Sequence, residues 1–400
     1  MSNTKKVSLL AYVAILGLFF FSGCTTFMNA AMQTMIDAHP QTDPTVIRTI
    51  GTLPSVISTI AMILVGSMVG KRFSYKFAAV FGSLLILIGG TLPAFINSSW
   101  TLVLAFMSIL GVGVGFIGIR NTFIVRCIPE KDQASYIGYG NVVMNVGAAI
   151  AGPVVGWLAT KGWNQVFWFN AVSVIPFLLA LFFLPNISGG EEETAKVEEV
   201  SESVEEKAAT KKGGWKLYFY PIFQLINVLT LYPLLSGMST LLVTKGLGNS
   251  VAAGTALTCY TIAGALVGLA IGQIEKRMGR TALGITTLAT AVCVFGIISA
   301  KSLIVVYVAT FVCGFVFNAS PSLLQFYNGR QAPAAKVGFY STLIIAAMQL
   351  GIFGSNYYIS ACHAIFNRSS DIESALWGCI IIYVVLGVFS LIVKITPDKE

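Results

Sequence analysis

Apolar residues in this chain come in long, nearly unbroken runs rather than in the alternation of a half-buried strand. Charge, or clusters of Pro, Gly and Asn, divides them into segments at 7–36, 46–69, 77–96, 101–124, 137–160, 165–185, 217–243, 250–273, 281–299, 303–327, 337–362 and 374–394. A helix crosses a bilayer with about 20 apolar residues. Only helices and closed barrels satisfy their own backbone polar groups in lipid. A barrel would show short alternating segments. The pattern predicts an all-α polytopic membrane protein with twelve transmembrane helices.

The first segment has a rival reading. Lys5 and Lys6 precede an apolar run that reaches Phe21-Ser22-Gly23-Cys24, which looks like a lipoprotein cleavage box. That box takes an aliphatic residue where Phe21 stands, and the apolar run continues to Ile36. Helix 1 is therefore the preferred reading.

Composition narrows the class. Of 400 residues, 56% are hydrophobic and 10% charged, with mean hydropathy +0.79. Soluble domains carry roughly 25% charge, and so little polarity cannot cover a water-exposed surface. A soluble enzyme, a disordered chain and a disulfide-stapled domain are all excluded. Twelve spans use roughly 240 residues, leaving helix extensions and loops but no large soluble domain. Cys24, Cys127, Cys259, Cys293, Cys313, Cys362 and Cys379 form no CxxC pair and mostly lie in apolar runs. They read as small apolar residues, so no disulfide framework, metal or cofactor is expected.

The net charge of +8 is explained by topology, not nucleic acid. With the N-terminus cytoplasmic, only Arg48, Lys161, Lys245, Lys301 and Arg368 of the 25 Lys and Arg fall on the outer side. This satisfies the positive-inside rule with both termini cytoplasmic. Residues 186–216 stand apart, with eight acids, including Glu191-Glu192-Glu193, and five bases. Such a stretch cannot bury itself. It reads as a charged cytoplasmic linker between six-helix halves at 1–185 and 217–400.

The halves repeat each other. Lys71-Arg72 after span 2 matches Lys276-Arg277 after span 8 at an offset of 205. Arg126-x-x-Pro129 matches Arg330-x-x-Pro333 at 204, and Met144-Asn145-Val146-Gly147 matches Met348-Gln349-Leu350-Gly351 at the same offset. Three matches in order argue for a duplicated six-helix unit.

On these residues the chain resembles the major facilitator superfamily over essentially its whole length. Its loop 2–3 signature, Gly-x-x-x-Asp-Arg/Lys-x-Gly-Arg/Lys-Arg/Lys, is met degenerately by Gly70-Lys71-Arg72-Phe73-Ser74-Tyr75-Lys76, with Lys71 at the acidic position. The second copy has Gly272, Arg277, Gly279 and Arg280, with Lys276 at the acid and Glu275 beside it. Ala148-x-x-x-Gly152-Pro153-x-x-Gly156 resembles the family's glycine-proline motif in span 5, where small residues let helices approach closely. Gly111-x-Gly113-x-Gly115 in span 4 suits close packing too.

The resemblance implies two pseudo-twofold-related halves, alternating access, and inner-side latches at Lys71, Arg72, Lys76, Lys276, Arg277 and Arg280. It also implies a cavity among spans 1, 4, 7 and 10. Polar residues there recur at helical spacing: Asn29 and Gln33, Gln224 and Asn227, Asn318 and Gln325. Asn141 with Asn145 and Gln349 with Asn356 do the same in spans 5 and 11. Such amides either join helices or face a neutral or zwitterionic solute. Tyr232 is an aromatic candidate. Arg120, inside span 4, either snorkels to the cytoplasmic surface beside Arg126 or recognises an anion.

All 17 Asp and Glu fall in loops or at span ends, so a buried carboxylate that carries protons is not visible. Asp37, His39 and His363 at outer ends are the groups that could respond to pH. A facilitative carrier or exchanger is therefore favoured, with a proton route through Asp37 or His39 left open. The expected partners are a small-molecule solute and the lipid bilayer, with a monomer in a bacterial inner membrane. Two other classes stand behind: a non-transporting sensor or scaffold with a carrier fold, and a membrane enzyme. The latter lacks a HExxH, a P-loop or an intramembrane histidine.

Overall fold

The computed structural model describes residues 8–24, 26–187, 215–332, 337–368 and 370–393. The predicted linker at 186–216 lies, except for its ends, outside them. The described chain is helical, with a lone bridge between Val69 and Phe73. Eleven helices are long and apolar enough to cross a membrane, and a shorter apolar helix, Leu9–Phe20, precedes them. The chain is an all-α membrane protein of twelve transmembrane helices.

It divides into two compact units. The first holds residues 1–189 together with Asn249–Gly254. Its helices are α1 (Leu9–Phe20), α2 (Met32–Ala38), α3 (Pro44–Met68), α4 (Tyr75–Thr91), α5 (Trp100–Ile117), α6 (Arg120–Cys127), α7 (Glu130–Ala159) and α8 (Val174–Phe183). Helix α5 packs on α3 and α4, while α1 packs on α7 and α8. The second unit holds 190–248 and 255–400. Its helices are α9 (Lys216–Ser236), α10 (Met238–Thr244), α11 (Ser250–Met278), α12 (Ala282–Ser299), α13 (Leu303–Gln331), α14 (Val337–Phe366) and α15 (Asp371–Ile392). The first residues of α11, Ser250–Gly254, count with the first unit. Helix α9 packs on α14, and α12 lies against α13 and α15.

Local chemistry sets the helix starts. The side chains of Ser8, Asp43, Ser74, Ser99 and Ser370 each accept an amide of the following turn. Each satisfies one of the donors that a helix start leaves open. Burial is inverted from the soluble pattern. Small and polar residues such as Thr52, Ser55, Ser58, Ser83 and Thr287 lie inside, while Ile63, Val292 and Ile304 face outward. In lipid, helices associate through close packing and polar contacts rather than through hiding apolar surface. The alternate glycines of α5 show this. An added Cβ on Gly111 would meet the Pro54 carbonyl oxygen of α3 at 2.7 Å, and one on Gly113 the Gly82 oxygen of α4 at 2.6 Å.

Three expected spans depart from continuous α-helix. The first, expected over 7–36, breaks into α1, 3-10 turns at Phe21–Gly23 and Phe27–Ala31, and α2. The Thr26 hydroxyl donates to the Gly23 carbonyl at 2.9 Å, the kind of side-chain bond that competes with a helix ladder. The fourth span breaks at Gly118-Ile119, between α5 and α6. The sixth begins as a 3-10 stretch, Trp163–Ser173. There Asn164 and Asn170 donate to the carbonyls of Ala94 and Gly90 at 3.2 and 3.0 Å, and Pro176 brings no amide to the first turn of α8.

Candidate solute-binding residues

The break before α6 makes Arg120 its first residue. The guanidinium carbon lies 5.1 Å from the centroid of the Phe19 ring on α1, over its face. Phe19 is buried, and its ring lies on the bare backbone of Gly140 in α7, where an added Cβ would come within 2.6 Å. Arg120 Nε is buried and has no hydrogen-bond partner among the described residues. A guanidinium inside a span that rests on an aromatic face has its charge partly balanced, while its donors can still take an anion.

The other first-unit candidates are placed as follows. Asn29 is buried in the 3-10 turn Phe27–Ala31, with its carbonyl oxygen against Gly51 of α3. The break in span 1 puts Gln33 on a different element, α2, where it donates to Asp37 Oδ1 at 2.7 Å. The continuous helical face expected for Asn29 and Gln33 is therefore absent. Asn145 donates to the Asn141 carbonyl at 2.9 Å, within its own helix. His39 was expected at an exposed outer end. It is half-buried, between the rings of Trp100 and Trp163 at 4.9 and 4.5 Å, with Nδ1 2.9 Å from the Met35 carbonyl oxygen. Asp37 is exposed. Arg48, counted from sequence among the outer-side charges, is 2% exposed within α3.

In the second unit, Asn227 is fully buried and accepts from the Tyr383 hydroxyl of α15 at 2.6 Å. The same hydroxyl lies 2.8 Å from the Asn227 main-chain oxygen. Gln224 and Tyr232 on the same helix are also buried. Asn318 on α13 donates to its own Gly314 carbonyl at 2.7 Å and lies against Gly264 of α11. Gln325 reaches the Ser341 carbonyl of α14 at 3.5 Å, and its neighbour Asn328 donates to the Ser341 hydroxyl at 2.8 Å. Gln349 is half-buried on α14. His363 Nδ1 lies 3.3 Å from the Ser374 hydroxyl.

The basic loops are well defined. Lys71 and Arg72 are exposed in a tight turn after α3, closed by the Gly70 amide donating to the Phe73 carbonyl at 2.9 Å. Gly70 has φ +86° there, a backbone conformation that favours glycine. Lys76 lies in the first turn of α4. Lys276 and Arg277 end α11, and Arg280 follows in a 3-10 turn. Glu275, beside Lys276, pairs with Arg330 of α13 at 3.1 Å. Gly152 and Gly156 lie where the start of α11 meets α7: an added Cβ on Gly156 would collide with the Ser250 carbonyl. Pro153 lies inside the same helix, α7. Thr34 and Ser250 share a hydroxyl hydrogen bond of 2.9 Å beside this contact. All seven cysteines are free thiols.

The family model described as Major Facilitator Superfamily matches residues 14–355. The chain belongs to this superfamily. It is a membrane transporter, not an enzyme. A curated relative, "MFS transporter L2" from Phoma sp. (strain ATCC 20986 / MF5453), is 28% identical over 134 residues. That match covers 32% of this chain and only 21% of the relative. Solved structures of the same fold include a D-xylose-proton symporter, at TM-score 0.73 and 14% identity, covering 96% of this chain and 97% of that one. The nucleoside transporter NupG has the same score and identity, with coverage of 95% and 99%. The xylose transporter XylE from E. coli, in its inward-open conformation, has a TM-score of 0.69 and 16% identity over 97% and 96% of the two chains. At these identities the likeness concerns the fold.

The sequence marks Arg120 as a candidate without indicating the ring on which it rests. Phe19 lies in an apolar run like any other, and Gly140 serves it through the absence of a side chain, which no spacing rule marks. Tyr383 as the partner of Asn227 is equally silent, because 156 residues separate them.

Proposed function

We propose that this transporter moves a small carboxylate-bearing solute, anionic or zwitterionic, across a cytoplasmic membrane by alternating access. Both of its termini lie on the cytoplasmic side. The solute would bind with Arg120 as its anion-recognising residue. One observation carries the reading: a guanidinium inside a span, supported on Phe19, whose Nε has no hydrogen-bond partner among the described residues. Leaving such a group buried without an acceptor costs about 1–3 kcal/mol. A carboxylate arriving from solution would offset that cost through a charge-assisted fork. Asp37, the acid nearest the first span, is exposed. This favours facilitated diffusion or exchange over proton coupling.

The test is uptake of a metabolite panel into proteoliposomes by the wild type, Arg120→Gln and Arg120→Lys, with and without a protonophore. Uptake of a carboxylate-bearing solute should be lost in Arg120→Gln at normal expression, and should withstand the protonophore. Unchanged uptake by Arg120→Gln would remove Arg120 from the site. Collapse of accumulation with the protonophore would replace the passive reading with a proton-coupled one.

A further inference from the structure

Tyr220, Thr230 and Ser236 of α9 all find hydrogen-bond partners close by. The Tyr220 hydroxyl donates to Gln331 Oε1 of α13 at 2.8 Å. Thr230 donates to the Ile226 carbonyl at 2.8 Å and Ser236 to the Tyr232 carbonyl at 3.3 Å. Gln224 and Asn227 differ. Gln224 is 1% exposed and Asn227 is fully buried. Gln224 Oε1 and Asn227 Nδ2 are both buried and have no hydrogen-bond partner among the described residues. One is an acceptor without a donor, the other a donor without an acceptor.

Their placement puts both inside the second unit. Tyr220, Gln224 and Val228 follow one another at four-residue spacing and so form one stripe of α9. Tyr220 reaches α13, and an added Cβ on Gly351 of α14 would meet the Val228 side chain at 3.2 Å. Gln224, between them, therefore faces the unit's own helices. Asn227 is tied to α15, where its Oδ1 accepts from Tyr383 at 2.6 Å. That bond leaves Nδ2 on the far side of the amide. Side chains three apart on a helix are neighbours, with Cβ atoms roughly 5–6 Å apart. The flanking Phe223 and Leu231 are apolar and fully buried, so they offer the two amides nothing.

We propose that the second unit binds one ordered water molecule at this point, donating to Gln224 Oε1 and accepting from Asn227 Nδ2. The chemistry selects water. The ligand must give one hydrogen bond and take another within a single small volume, which neither a metal cation nor a simple anion can do. Buried waters characteristically make about three hydrogen bonds, and at least two, to polar groups that otherwise have none. The water extends an existing bond into a chain. Tyr383 donates to Asn227 Oδ1, Asn227 Nδ2 to the water, and the water to Gln224 Oε1. Every link donates in the same direction, so each polarises the next. Inside a membrane span no bulk water is at hand to serve such atoms, so the bound molecule belongs to the fold. The proposal is independent of which solute is carried, and its test involves no transport.

Two near-isosteric variants, Gln224→Met and Asn227→Leu, test it by the sign of their effect on melting temperature. In Asn227→Leu the Tyr383 hydroxyl keeps the main-chain oxygen of position 227, at 2.8 Å. With a bridging water, each single variant strands the other polar atom and lowers Tm by several degrees. The double variant strands neither and should melt above the lower of the two. Without a bridge, each single variant removes an idle buried polar group and raises Tm, which overturns the proposal. Radiolytic hydroxyl labelling in oxygen-18 water reads the ligand itself. Phe223 and Tyr383, both fully buried, should be labelled in the wild type. Oxygen-18 should enter there later than at exposed residues, and the label should vanish in either single variant. Unlabelled Phe223 and Tyr383 in the wild type would mean that the two amides bond directly, and would also overturn the proposal. So would label that exchanges as fast as bulk solvent. Should a variant fail to fold, the wild-type labelling decides alone.

Discussion

Gly254 of α11 lies directly on the backbone of Gly152 in α7, so close that a Cβ on Gly254 would collide with the Gly152 carbonyl oxygen. One turn away, Gly156 meets the Ser250 carbonyl in the same manner. The two glycines of the span 5 motif thus have their counterparts at the start of α11. Gly254→Ala is expected to destabilise the protein. Overpacking costs about 1–3 kcal/mol, and the better helix propensity of alanine returns at most about 1 kcal/mol. Gly254→Val should be worse. Gly272→Ala, in the same helix but with nothing within 4 Å of the new methyl, should be neutral or stabilising. Thermal unfolding of the purified variants separates the two, and an equal shift at both sites would contradict the close approach.

Asn227 and Tyr383 form a second such pair. The Tyr383 hydroxyl donates to the Asn227 side chain at 2.6 Å, with both residues fully buried. Tyr383→Phe removes the donor and leaves a buried acceptor, which costs about 1–3 kcal/mol. Because this bond ties α9 to α15 within one unit, the solute affinity of the folded fraction should stay unchanged. A fall in melting temperature with an unaltered KM is the expected result. A raised KM without loss of stability would instead put Asn227 among the solute-binding residues.

These two pairs show how much of the molecule was legible in its sequence. Helix type, the number of spans and the family follow from run length, charge placement and motifs such as Arg126-x-x-Pro129, because lipid allows so few alternatives. The breaks in spans 1, 4 and 6 were not legible. Those in spans 1 and 6 carry side-chain bonds, Thr26 to Gly23 within its own turn and Asn170 to Gly90 of a neighbouring helix, which no run of apolar residues announces. For the candidate site, residue type identified Arg120, and helical spacing grouped the amides. Spacing on an ideal helix failed for Asn29 and Gln33 because their helix is interrupted. It was also uninformative for Asn145, whose amide is spent on its own backbone.

The cap of α3 makes a prediction about pH. The hydroxyl and the amide of Thr45 donate to the Asp43 carboxylate, the amide at 2.6 Å, and Arg48 adds a smaller attraction. Together they hold the carboxyl below its ordinary range. A depressed carboxylate contributes stability that is fully present above its unfolded pKa of about 3.9 and is lost as pH falls through its folded value. The helix cap should therefore be constant near neutrality and weaken only in acid, below about pH 4. Asp43→Ala should cost about 1 kcal/mol at pH 7. Asp43→Asn should keep most of the cap and remove its acid sensitivity. Melting curves from pH 3 to pH 7 on the three proteins would show it, and an acid slope that persists in Asp43→Asn would assign the effect to another group.

The support beneath Arg120 can be tested apart from the charge itself. Phe19 offers a ring face at 5.1 Å, an arrangement worth about 0.5–2 kcal/mol depending on desolvation. Phe19→Leu keeps an apolar side chain against Gly140 but removes the quadrupole, so Arg120 loses the contact that orients it. Phe19→Tyr retains the ring face. If Arg120 binds the solute, Phe19→Leu should raise KM severalfold, since 1.4 kcal/mol is tenfold. Phe19→Tyr should stay near wild type if its hydroxyl finds room. Thermal stability separates this from a packing defect. A Leu variant whose melting temperature falls while KM holds would mean that Phe19 serves only the packing of α1 on α7. A Leu variant with a raised KM and little loss of stability would place the aromatic face within the anion-binding arrangement.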